Sequence, residues 1–518
     1  MTIGTSTPLS VLAIDQGTSS TKAVAIGFDG RVLGRSSVPI SRKDPRPGWV
    51  EQDAMEIADS LHLAVAELLG GLDTEVVGLG ISNQRESALV WRRSDGRPMG
   101  PVLGWQDRRT AARVREAERR GWLDVVEEKS GLPLDPMFSA LKLQWLLDQV
   151  DPDRSQSRSG KLAVGTVDSW MAFVLTGEHR IEMGNASRTQ LFALDVLDWD
   201  DQLLEIFNVP RACLPEVFAS NVPTAPVRGL PGIRDGVRIY GALGDSHAAL
   251  FAHGARTPGD VKATYGSGSS IIGLAGDRVP RASGLVRTIA WSTDVPAYAF
   301  EGTVLSTGAT LLWLAQLLGT DPAGLSALAQ SSEAQDHVDL IPAFAGLGAP
   351  YWDDDAVALV CGFGLGTSRA ELARAAFESI ALQTEMLFRC VADATGEQVG
   401  RVLVDGGPTQ NDWLMQLQAD LSQRTVSRSN VAELSALGAA HLAGVSSGFW
   451  TSEECITLAK DVSTFVPAMD PLVAAARRER WRSAVERSRF QPSGGGPSDA
   501  VSDPGSGDAA PAGTVAVG

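Results

Sequence analysis

One segment near the start of the chain, residues 11–26 with the sequence VLAIDQGTSSTKAVAI, constrains the fold more than any other. Its first four residues form an apolar run that predicts a buried strand, and a second apolar run resumes after a short polar turn. The turn carries glycine, threonine and serine, whose backbone N–H groups and hydroxyls are typical of an anion-binding nest. The segment therefore predicts a phosphate-handling β-hairpin, although an ordinary surface hairpin explains it equally well when it is considered alone.

Two charged residues flank this turn. Asp15 closes the first strand, and its carboxylate suits a magnesium ion that is held directly or through water. Lys22 adds a positive charge beside the turn. We therefore expect Asp15 to be a metal ligand and Lys22 to contact a phosphate.

Length and composition restrict the possible functions. The 518 residues exceed what one hydrophobic core usually organises, which predicts two domains or more. Hydrophobic residues make up 44% of the chain and charged residues 21%, a globular balance. The formal net charge of −17 argues against partnership with nucleic acid and against an anionic membrane surface. We therefore expect a small-molecule partner and leave a homo-oligomer open.

The chain also lacks the usual signals for export and for metal or disulfide frameworks. No segment approaches the roughly 20 apolar residues of a membrane span, and the N-terminus has no signal-peptide pattern, which together predict a cytoplasmic location. The cysteines form no CxxC pair, so neither a zinc site nor a disulfide framework is indicated. We expect all four to be buried thiols: Cys213, Cys361, Cys390 and Cys455.

Strand-like runs alternate with helical stretches along the chain, and this alternation indicates an α/β fold. A Gly-rich turn follows an acidic or aromatic residue at three places, Asp15, Tyr265 and Asp405. Two related α/β domains that face a cleft would explain this recurring pattern. The tail at 491–518 is rich in Pro, Gly, Ser and Asp and is expected to be disordered. The clearest runs are strands at 76–82, 237–242, 261–265 and 402–404 and a helix at 370–391.

The common nucleotide and metal motifs do not account for the chain. The GxxxxGK pattern followed by Ser or Thr does not occur, and GFGLG at 362–366 misses the GxGxxG spacing of dinucleotide folds. The six histidines form no pair at zinc-ligand spacing, and we expect His247 and His253 to be structural.

Several blocks together resemble the FGGY carbohydrate kinases, and within them the glycerol kinases, up to about residue 485. The resemblance implies two ribonuclease-H-like domains, as in sugar kinases, actin and chaperone ATPases, that clamp ATP and substrate in a hinged cleft. Residues 1–249 would bind the acceptor and carry the first phosphate hairpin, and residues 250–490 would bind the nucleotide. The blocks are DQGTSS at 15–20, GWVEQD at 48–53, ISNQRES at 81–87, WQDRR at 105–109, MFSALKLQWLLDQ at 137–149, GTVDSW at 165–170, NASRTQLF at 185–192, GLGAPYWD at 346–353, DGGPTQND at 405–412 and ELSALGAAHLAG at 433–444.

The resemblance assigns roles on the acceptor side. Asp245 would be the general base that takes a proton from the attacking hydroxyl, although local sequence alone favours a helix N-cap aspartate. Arg85 and Glu86 would hold substrate hydroxyls, where a surface ion pair is the simpler alternative. Trp105 would pack on the carbon backbone of the substrate rather than in the core.

On the nucleotide side, the resemblance implies ATP and Mg²⁺ as cofactors. Lone glycines of this kind usually mark turns, but here they would let the backbone approach the nucleotide closely. At position 412 the family commonly has asparagine near the adenine, so the base contact there is an open point. The implied nucleotide-binding residues are Thr18, Ser19, Ser20, Lys22, Ser267, Gly268, Gly308, Leu312, Gly406, Gly407 and Asp412.

The acceptor pocket departs from the glycerol-kinase pattern. Met137, Ser246 and Ser270 stand where glycerol kinases have tyrosine, glutamine and phenylalanine, which predicts a roomier pocket. Asp107 stands where they have cysteine and is expected to add a hydrogen-bond acceptor for the substrate. A longer polyol or a ketose becomes a plausible acceptor, and a drifted pocket that still takes glycerol is an equal alternative.

Three functions therefore stand at this point. The first is an ATP-dependent kinase of glycerol or a related small polyol or sugar. The second is an actin-like or chaperone-like ATPase, against which the NQRES and WQD segments argue. The third is a non-catalytic sensor of the same fold, which the intact Asp15 and Asp245 oppose.

Overall fold

The computed structural model describes residues 7–276, 284–332, 338–396, 398–458 and 461–490. The tail at 491–518 lies outside the described residues, so its expected disorder stays a prediction. No helix in the described ranges is long and apolar enough to cross a membrane.

The strands of the first half of the chain are β1 (Leu9–Gln16), β2 (Ser20–Gly27), β3 (Val32–Pro39), β4 (Glu51–Gln52), β5 (Glu75–Asn83), β6 (Ala88–Arg92), β7 (Val102–Leu103), β8 (Leu162–Thr166), β9 (Arg180–Glu182), β10 (Phe192–Ala193), β11 (Asp198–Trp199), β12 (Glu216–Phe218) and β13 (Ile239–Gly244). Those of the second half are β14 (Asp260–Tyr265), β15 (Ser269–Leu274), β16 (Val286–Ser292), β17 (Pro296–Val304), β18 (Asp339–Ile341), β19 (Leu359–Cys361), β20 (Arg401–Asp405), β21 (Val426–Ser429) and β22 (Val462–Phe465).

The helices of the first half are α1 (Ala54–Gly70), α2 (Ala111–Arg119), α3 (Leu123–Ser130), α4 (Ser139–Val150), α5 (Ser155–Arg158), α6 (Val167–Thr176), α7 (Met183–Ala186), α8 (Asp201–Phe207) and α9 (Asp245–Ala252). Those of the second half are α10 (Gly308–Leu317), α11 (Pro322–Gln330), α12 (Arg369–Thr395), α13 (Asp412–Ser422), α14 (Leu434–Ser446), α15 (Ser452–Thr457) and α16 (Pro471–Arg489). Short 3-10 helices lie at Arg211–Cys213 and Gly407–Gln410.

The first sheet has the strand order β13-β5-β1-β2-β3, with β1 and β2 antiparallel and β5 parallel to β1. Its central strand is buried on both faces, which explains the continuous apolar run of the sequence. Leu12 and Ile14 pack in a core with α1, whereas Val11 and Ala13 pack in a core with α14 on the opposite face.

The second sheet repeats this topology. Its order is β16-β17-β15-β14-β20-β21-β22, so that β14 is antiparallel to β15 and parallel to β20, as β1 is to β2 and β5. The five strands β17-β15-β14-β20-β21 therefore correspond to β3-β2-β1-β5-β13. The α/β fold with two related units, which the recurring Gly-rich turns of the sequence predicted, is confirmed.

Helix α14 belongs to the second half of the sequence but packs on β5, β13, β1 and α9 of the first. The helix approaches the first sheet and α9 closely because glycines lie at the points of contact. A Cβ atom on Gly438 would lie 1.8 Å from the carbonyl oxygen of Ala248, and one on Gly80 would lie 2.2 Å from that of Ala439. The predicted division at 249/250 falls inside α9, and it stays a prediction.

A smaller sheet, with the order β4-β7-β6-β8, stands beside the first and carries the loop that contains Trp105 just after β7. The predicted strands and long helix are present with small shifts; the strand expected at 237–242 runs from Ile239 to Gly244. The expectation of four buried thiols is wrong for two of them. Cys213 and Cys455 are buried, but Cys361 and Cys390 are only half-buried.

Candidate active site

Asp245 is the first residue of α9, directly after strand β13. Its side chain is 38% exposed, and Nε of Arg85 lies 3.4 Å from its Oδ1. Burial raises the pKa of Asp245, while the charge of Arg85 opposes that rise. The hydroxyl of Ser435, on α14, donates to the backbone oxygen of Asp245 at 3.0 Å. The carboxylate is thus held at a helix start with one face open, an arrangement that suits a proton acceptor.

Four charged side chains form a buried cluster beside Asp245. Arg85 donates to Glu301, which lies on β17. Arg188 reaches the other oxygen of Glu301 at 2.7 Å and Oε1 of Glu86 at 2.6 Å. Burial would raise the pKa of Glu301, but Arg188 and Arg85 outweigh it and lower that pKa to about 2. Arg85 and Glu86 are therefore parts of one buried network and not a surface ion pair.

The backbone of Glu86 adopts a left-handed conformation, with φ of 62°. This conformation is uncommon for a residue with a side chain and is sustained by surrounding contacts. Lys142, buried on α4, donates from Nζ to the carbonyl oxygen of Glu86 at 3.1 Å, and Ser139 Oγ donates to the same oxygen at 3.0 Å. Burial lowers the pKa of Lys142 to about 7.

Trp105 is 36% exposed and joins two parts of the site. Its ring N–H donates to Thr18 Oγ1 at 3.0 Å, and its backbone N–H donates to Ser87 Oγ at 3.0 Å. Trp105 therefore links the turn that follows β1, through its ring, to the loop that carries Arg85 and Glu86, through its backbone. It is not a core residue.

The three predicted determinants of acceptor size are all half-buried: Met137, Ser246 and Ser270. Ser246 follows Asp245 on α9, and Ser270 lies in the middle of the second sheet, opposite Thr264 and Thr303. Lys142 Nζ donates to the backbone oxygen of Met137, which ties that loop to Glu86. That Met137, Ser246 and Ser270 line one acceptor pocket stays a prediction.

The role predicted for Asp107 needs correction. Its side chain is fully buried. Oδ2 accepts a hydrogen bond from Val50 N at 2.7 Å, and Oδ1 accepts one from Arg109 Nε at 2.9 Å and one from Arg109 N at 3.0 Å. The guanidinium of Arg109 in turn lies over the rings of Trp49 and Trp145, 3.8 and 4.7 Å from their centroids. Because both oxygens are engaged inside the protein, Asp107 braces the Trp105 loop and has no free acceptor for a substrate.

The two hairpin turns occupy equivalent places in the repeated topology. In the first, Gly17 N donates to Ser20 O at 2.9 Å, and Lys22 lies opposite Asp15 in the strand register. Ser19 is exposed, whereas Thr18 and Ser20 are half-buried. The second turn spans 266–268, and Ser267 is exposed there. Both turns offer backbone and hydroxyl groups that can meet phosphate oxygens.

Close backbone approaches require the glycines around the second turn. A Cβ atom on Gly268 would lie 2.5 Å from Val304 O, and one on Gly308, which begins α10, would lie 2.6 Å from Gly266 O. Gly406 has φ of +98°, and a Cβ there would lie 2.0 Å from Tyr265 O. Gly407 borders open space. Gly268, Gly308 and Gly406 therefore leave no room for a side chain. The first N–H groups of α10, at Gly308 and Ala309, donate to the carbonyl oxygens of Gly266 and Ser267 at 3.0 and 3.1 Å.

The other two predicted nucleotide residues lie at the surface of the second unit. Leu312 is 53% exposed on α10, and the side chain of Asp412 is 74% exposed at the start of α13. The carboxylate of Asp412 accepts a hydrogen bond from Arg428 Nη1 at 2.6 Å. An adenine contact at Asp412 would have to coexist with this ion pair.

Asp15 has a carboxylate oxygen that is available to a metal ion. Its Oδ1 is buried and accepts no hydrogen bond within the described part of the chain. Burial raises the pKa of Asp15 to about 6, and the nearby charge of Asp245 adds to that rise. A cation would relieve both effects, so the residue fits a magnesium ion. The described residues contain no cluster of three potential His, Cys, Asp or Glu ligands, and Mg²⁺ in kinases commonly relies on one or two carboxylates, phosphates and water.

Sequence reasoning missed several residues of this site. His247, expected to be structural, accepts a hydrogen bond at Nε2 from Arg85 Nη1 at 3.2 Å, and burial lowers its pKa well below the ordinary value. His253 lies 3.2 Å from Asp405, which also attracts Lys262 at 3.5 Å. Arg188 and Glu301 were not singled out. An isolated charge inside an apolar strand, as at Glu301, is the signal that could have found one of them.

Comparisons with known proteins agree with this geometry. Residues 10–252 match the N-terminal domain of the FGGY family of carbohydrate kinases, and residues 261–447 match the C-terminal domain of the same family. The chain is 40% identical to an apulose kinase of Pectobacterium atrosepticum over 489 residues, which cover 93% of this chain and 99% of that protein. It is 42% identical to a glycerol kinase of Bordetella parapertussis over 495 residues, covering 92% of this chain and 97% of that protein.

Among solved structures, the chain is similar to the crystal structure of Plasmodium falciparum glycerol kinase with ADP. The two superpose with a TM-score of 0.88 at 30% sequence identity, over 93% of this chain and 99% of the other. A ligand-bound xylulose kinase from Lactobacillus acidophilus gives a TM-score of 0.84 at 22% identity over 92% of this chain and 97% of that chain, which supports the fold alone. The predicted two-domain, ribonuclease-H-like architecture is therefore confirmed.

Proposed function

The chain belongs to the FGGY family of carbohydrate kinases, and from this premise we propose that it transfers the γ-phosphoryl group of ATP to a hydroxyl of a polyol or ketose somewhat longer than glycerol. The prediction of an ATP-dependent carbohydrate kinase is confirmed by the family. The acceptor and the roles of individual residues are our proposals.

One observation carries the assignment of the catalytic centre. Asp245 keeps an open face while Arg85 lies 3.4 Å from its Oδ1, beside the cluster that holds Glu86. A carboxylate with a raised pKa next to groups that can bind hydroxyls is what phosphoryl transfer to an alcohol needs. An actin-like ATPase has no use for such an acceptor site.

In the proposed reaction, the acceptor hydroxyl attacks the γ-phosphorus, its proton passes to Asp245, and the bond from that phosphorus to the leaving oxygen of ADP breaks. General-base assistance of this kind contributes about 10²- to 10⁴-fold. Arg85 and Glu86 would orient the acceptor hydroxyls, and Trp105 would cover the carbon chain. Positioning and charge stabilisation supply most of the remaining catalysis, because phosphoryl transfer leaves the protein little covalent chemistry.

We propose that Asp15 holds the magnesium ion that accompanies ATP, on the strength of its unpartnered buried oxygen. The ion would supply charge neutralisation to the phosphates. Thr18, Ser19 and Ser20 in the first turn, with Ser267 and Gly268 in the second, would meet the phosphate oxygens. Gly308, Gly406 and Gly407 would admit the nucleotide, with the cytoplasm as the proposed location of the reaction.

The size of the acceptor follows from the half-buried side chains at Met137, Ser246 and Ser270. They are smaller or more flexible than the tyrosine, glutamine and phenylalanine of the glycerol-kinase pattern, so they leave space for additional carbons and hydroxyls. The apulose kinase among the relatives supports a sugar acceptor. Glycerol is the second candidate, because a glycerol kinase shares 42% identity with the chain.

The test is ADP release in a coupled assay with glycerol, erythritol, xylulose, ribulose and apulose as acceptors. We expect kcat/KM for at least one acceptor of four or five carbons to exceed that for glycerol by about tenfold or more, the size of effect that one methylene in a pocket produces. A preference for glycerol would select the second candidate. Failure of every acceptor to raise ADP release above the rate with ATP alone would contradict the kinase assignment.

A further inference from the structure

Three buried glutamine side chains lie directly behind the turn that follows β1. Gln16, Gln52 and Gln84 are 0%, 3% and 1% exposed. They come from β1, from β4 and from the residue after β5. Amide groups of this kind are costly to bury unless they are hydrogen-bonded, so their partners define what they do.

Two of these amides hold the carbonyl groups of the turn. Gln16 Nε2 donates to Gly17 O at 2.7 Å, and Gln52 Nε2 donates to Thr18 O at 2.8 Å. In a trans peptide the C=O and N–H bonds point in opposite directions. Holding these two carbonyls inward therefore turns the N–H groups of Thr18 and Ser19 away from the glutamines. Neither N–H has an acceptor in the part of the chain that the structure describes.

The third amide fixes the orientation of the other two. Gln84 Nε2 donates to Gln16 Oε1 at 3.1 Å and to Gln52 Oε1 at 2.9 Å. A glutamine whose oxygen is occupied in this way must present its NH₂ group on the other side, which is where the turn carbonyls lie. Ser87 Oγ donates to Gln84 Oε1 at 3.0 Å and so fixes the orientation of Gln84 itself.

The same residues reach the acceptor side of the site. Gln84 immediately precedes Arg85 and Glu86, and its backbone N–H donates to Gln16 O at 2.8 Å. Ser87 also accepts the backbone N–H of Trp105, whose ring N–H bonds Thr18 Oγ1. The turn and the acceptor loop are therefore joined by one hydrogen-bond network.

We propose that Gln84 is a positioning residue that, through Gln16 and Gln52, aims the N–H groups of Thr18 and Ser19 at the phosphoryl group being transferred. This inference rests on the proposed function, because that function identifies the group as the γ-phosphoryl of ATP. As a consequence, the orientation of these N–H donors is fixed by Gln84, which directly precedes the residues proposed to hold the acceptor, Arg85 and Glu86.

Gln84→Glu is the sharpest variant, because it keeps the shape and replaces the donating NH₂ group with an oxygen. Gln16 and Gln52 would then present their NH₂ groups to residue 84 and their oxygens to the turn carbonyls, which releases the turn. Gln52→Met removes the bond to Thr18 and the bond that Gln52 accepts from Gln84, leaves Gln16 in place, and serves as the second variant. Gln144→Met is the control, since that glutamine accepts a hydrogen bond from Arg113 outside the network.

We expect kcat to fall by about 10- to 100-fold in both variants, somewhat less than the loss of an entire oxyanion donor. KM for the acceptor and Kd for ADP should stay within about twofold of wild type, because the donors face the transferred group. The binding of ADP with aluminium fluoride, a mimic of that group, should weaken in proportion to kcat. The control should match wild type in all three quantities.

A turnover-independent measurement separates this proposal from the kinase assignment. Wild type should be stabilised more against heat by a non-hydrolysable ATP analogue than by ADP, and the variants should lose that difference. If wild type shows the difference but phosphorylates no acceptor, the proposed function fails while the positioning role stands. If the variants keep the difference, or lose ADP affinity and acceptor KM in step with kcat, Gln84 is a packing residue and the proposal is wrong. Should Gln84→Glu not fold, Gln52→Met decides the matter.

Discussion

Oε2 of Glu301 lies 2.7 Å from Nη2 of Arg188, and the other oxygen of the same carboxylate accepts a hydrogen bond from Arg85. Glu301 stands on β17 of the second sheet, whereas both arginines precede α9. One carboxylate from the second half of the chain therefore holds two cations of the acceptor side. This relationship makes Glu301 a determinant of how strongly Arg85 attracts the proposed base.

Glu301→Gln should change the pH dependence of turnover. Arg85, released from Glu301, would attract Asp245 more strongly, and the loss of a nearby negative charge acts in the same direction. The other charges near Asp245 are Glu86, Lys262 and Asp15, which the substitution leaves in place. The pKa of Asp245 should fall, so the acidic limb of the kcat profile should move to lower pH, with a plateau lowered by about tenfold because a weaker base accepts the proton.

The matched control is Glu385→Gln, which replaces another buried carboxylate, paired with Arg424 at 2.6 Å and not part of the cluster beside Asp245. Its kcat profile should overlay that of wild type. An unchanged acidic limb in Glu301→Gln would show that Glu301 does not act through Arg85.

Asp245→Asn should lower kcat by about 100-fold or more, because the amide cannot accept the hydroxyl proton. The affinity for a non-hydrolysable ATP analogue, measured by calorimetry, should stay within about twofold, since the base acts on the acceptor. Asp44→Asn, at an exposed ion pair with Arg42, is the control. Near-normal turnover of Asp245→Asn at saturating acceptor would remove Asp245 from the mechanism.

Acceptor size should respond to the pocket residues. The triple variant Met137→Tyr, Ser246→Gln, Ser270→Phe should raise the ratio of kcat/KM for glycerol over that for a five-carbon acceptor. Each group of methylene size is worth about 1–3 kcal/mol, and neighbouring changes do not add cleanly. We expect a shift of at least tenfold in the ratio. The three single variants, assayed in parallel, show which position contributes, and a ratio that does not rise would mean that these positions do not set acceptor size.

Lys142 should make stability depend on pH. Its pKa is about 10.4 in an unfolded chain and is lowered by burial to about 7 in the folded protein. Between these values the unfolded chain holds a proton that the folded protein has released, so this residue makes the free energy of unfolding rise with pH from about 7 toward 10. The slope attributable to one proton approaches about 1.4 kcal/mol per pH unit.

Lys142→Met removes this titration. Urea unfolding of both proteins at pH 7, 8 and 9 should give a steeper rise of unfolding free energy for wild type than for the variant. Parallel pH dependences would mean that the lysine keeps its proton when buried, held by the backbone oxygens of Glu86 and Met137.

Gly438→Ala should destabilise the protein by about 1–3 kcal/mol, the usual cost of overpacking. The new Cβ would meet the carbonyl oxygen of Ala248 and push α14 away from α9, the helix that begins with Asp245. Activity should fall as well. Gly70→Ala, where a Cβ meets nothing within 4 Å, is the control in urea unfolding. Equal midpoints for the two variants would show that α14 can shift without cost.

The parts of the site that could be predicted are those whose residues are neighbours along the chain. The buried strand and the polar turn with Asp15 follow each other along the chain, so a linear pattern reveals them. The role expected for Asp245 came from the family resemblance, because its local sequence favours a helix N-cap. Glu301 and Arg188 acquire their roles only when two distant segments meet. Asp107 was misassigned for a related reason, because its partners Arg109 and Val50 saturate it within the interior.

The packing of α14 on the first sheet has a consequence for the order in which the protein can form during synthesis. Val11, Ala13, Val24 and Ile26 cover one face of that sheet, and the residues that bury them, such as Ala436 and Ala440, come near the end of the chain. A ribosome makes α14 long after the strands β1 and β2, so one apolar face of the first sheet stays exposed until α14 has been synthesised. Nascent chains that stop before residue 434 should therefore need a chaperone to avoid aggregation, whereas chains that include α14 cover that face with their own helix.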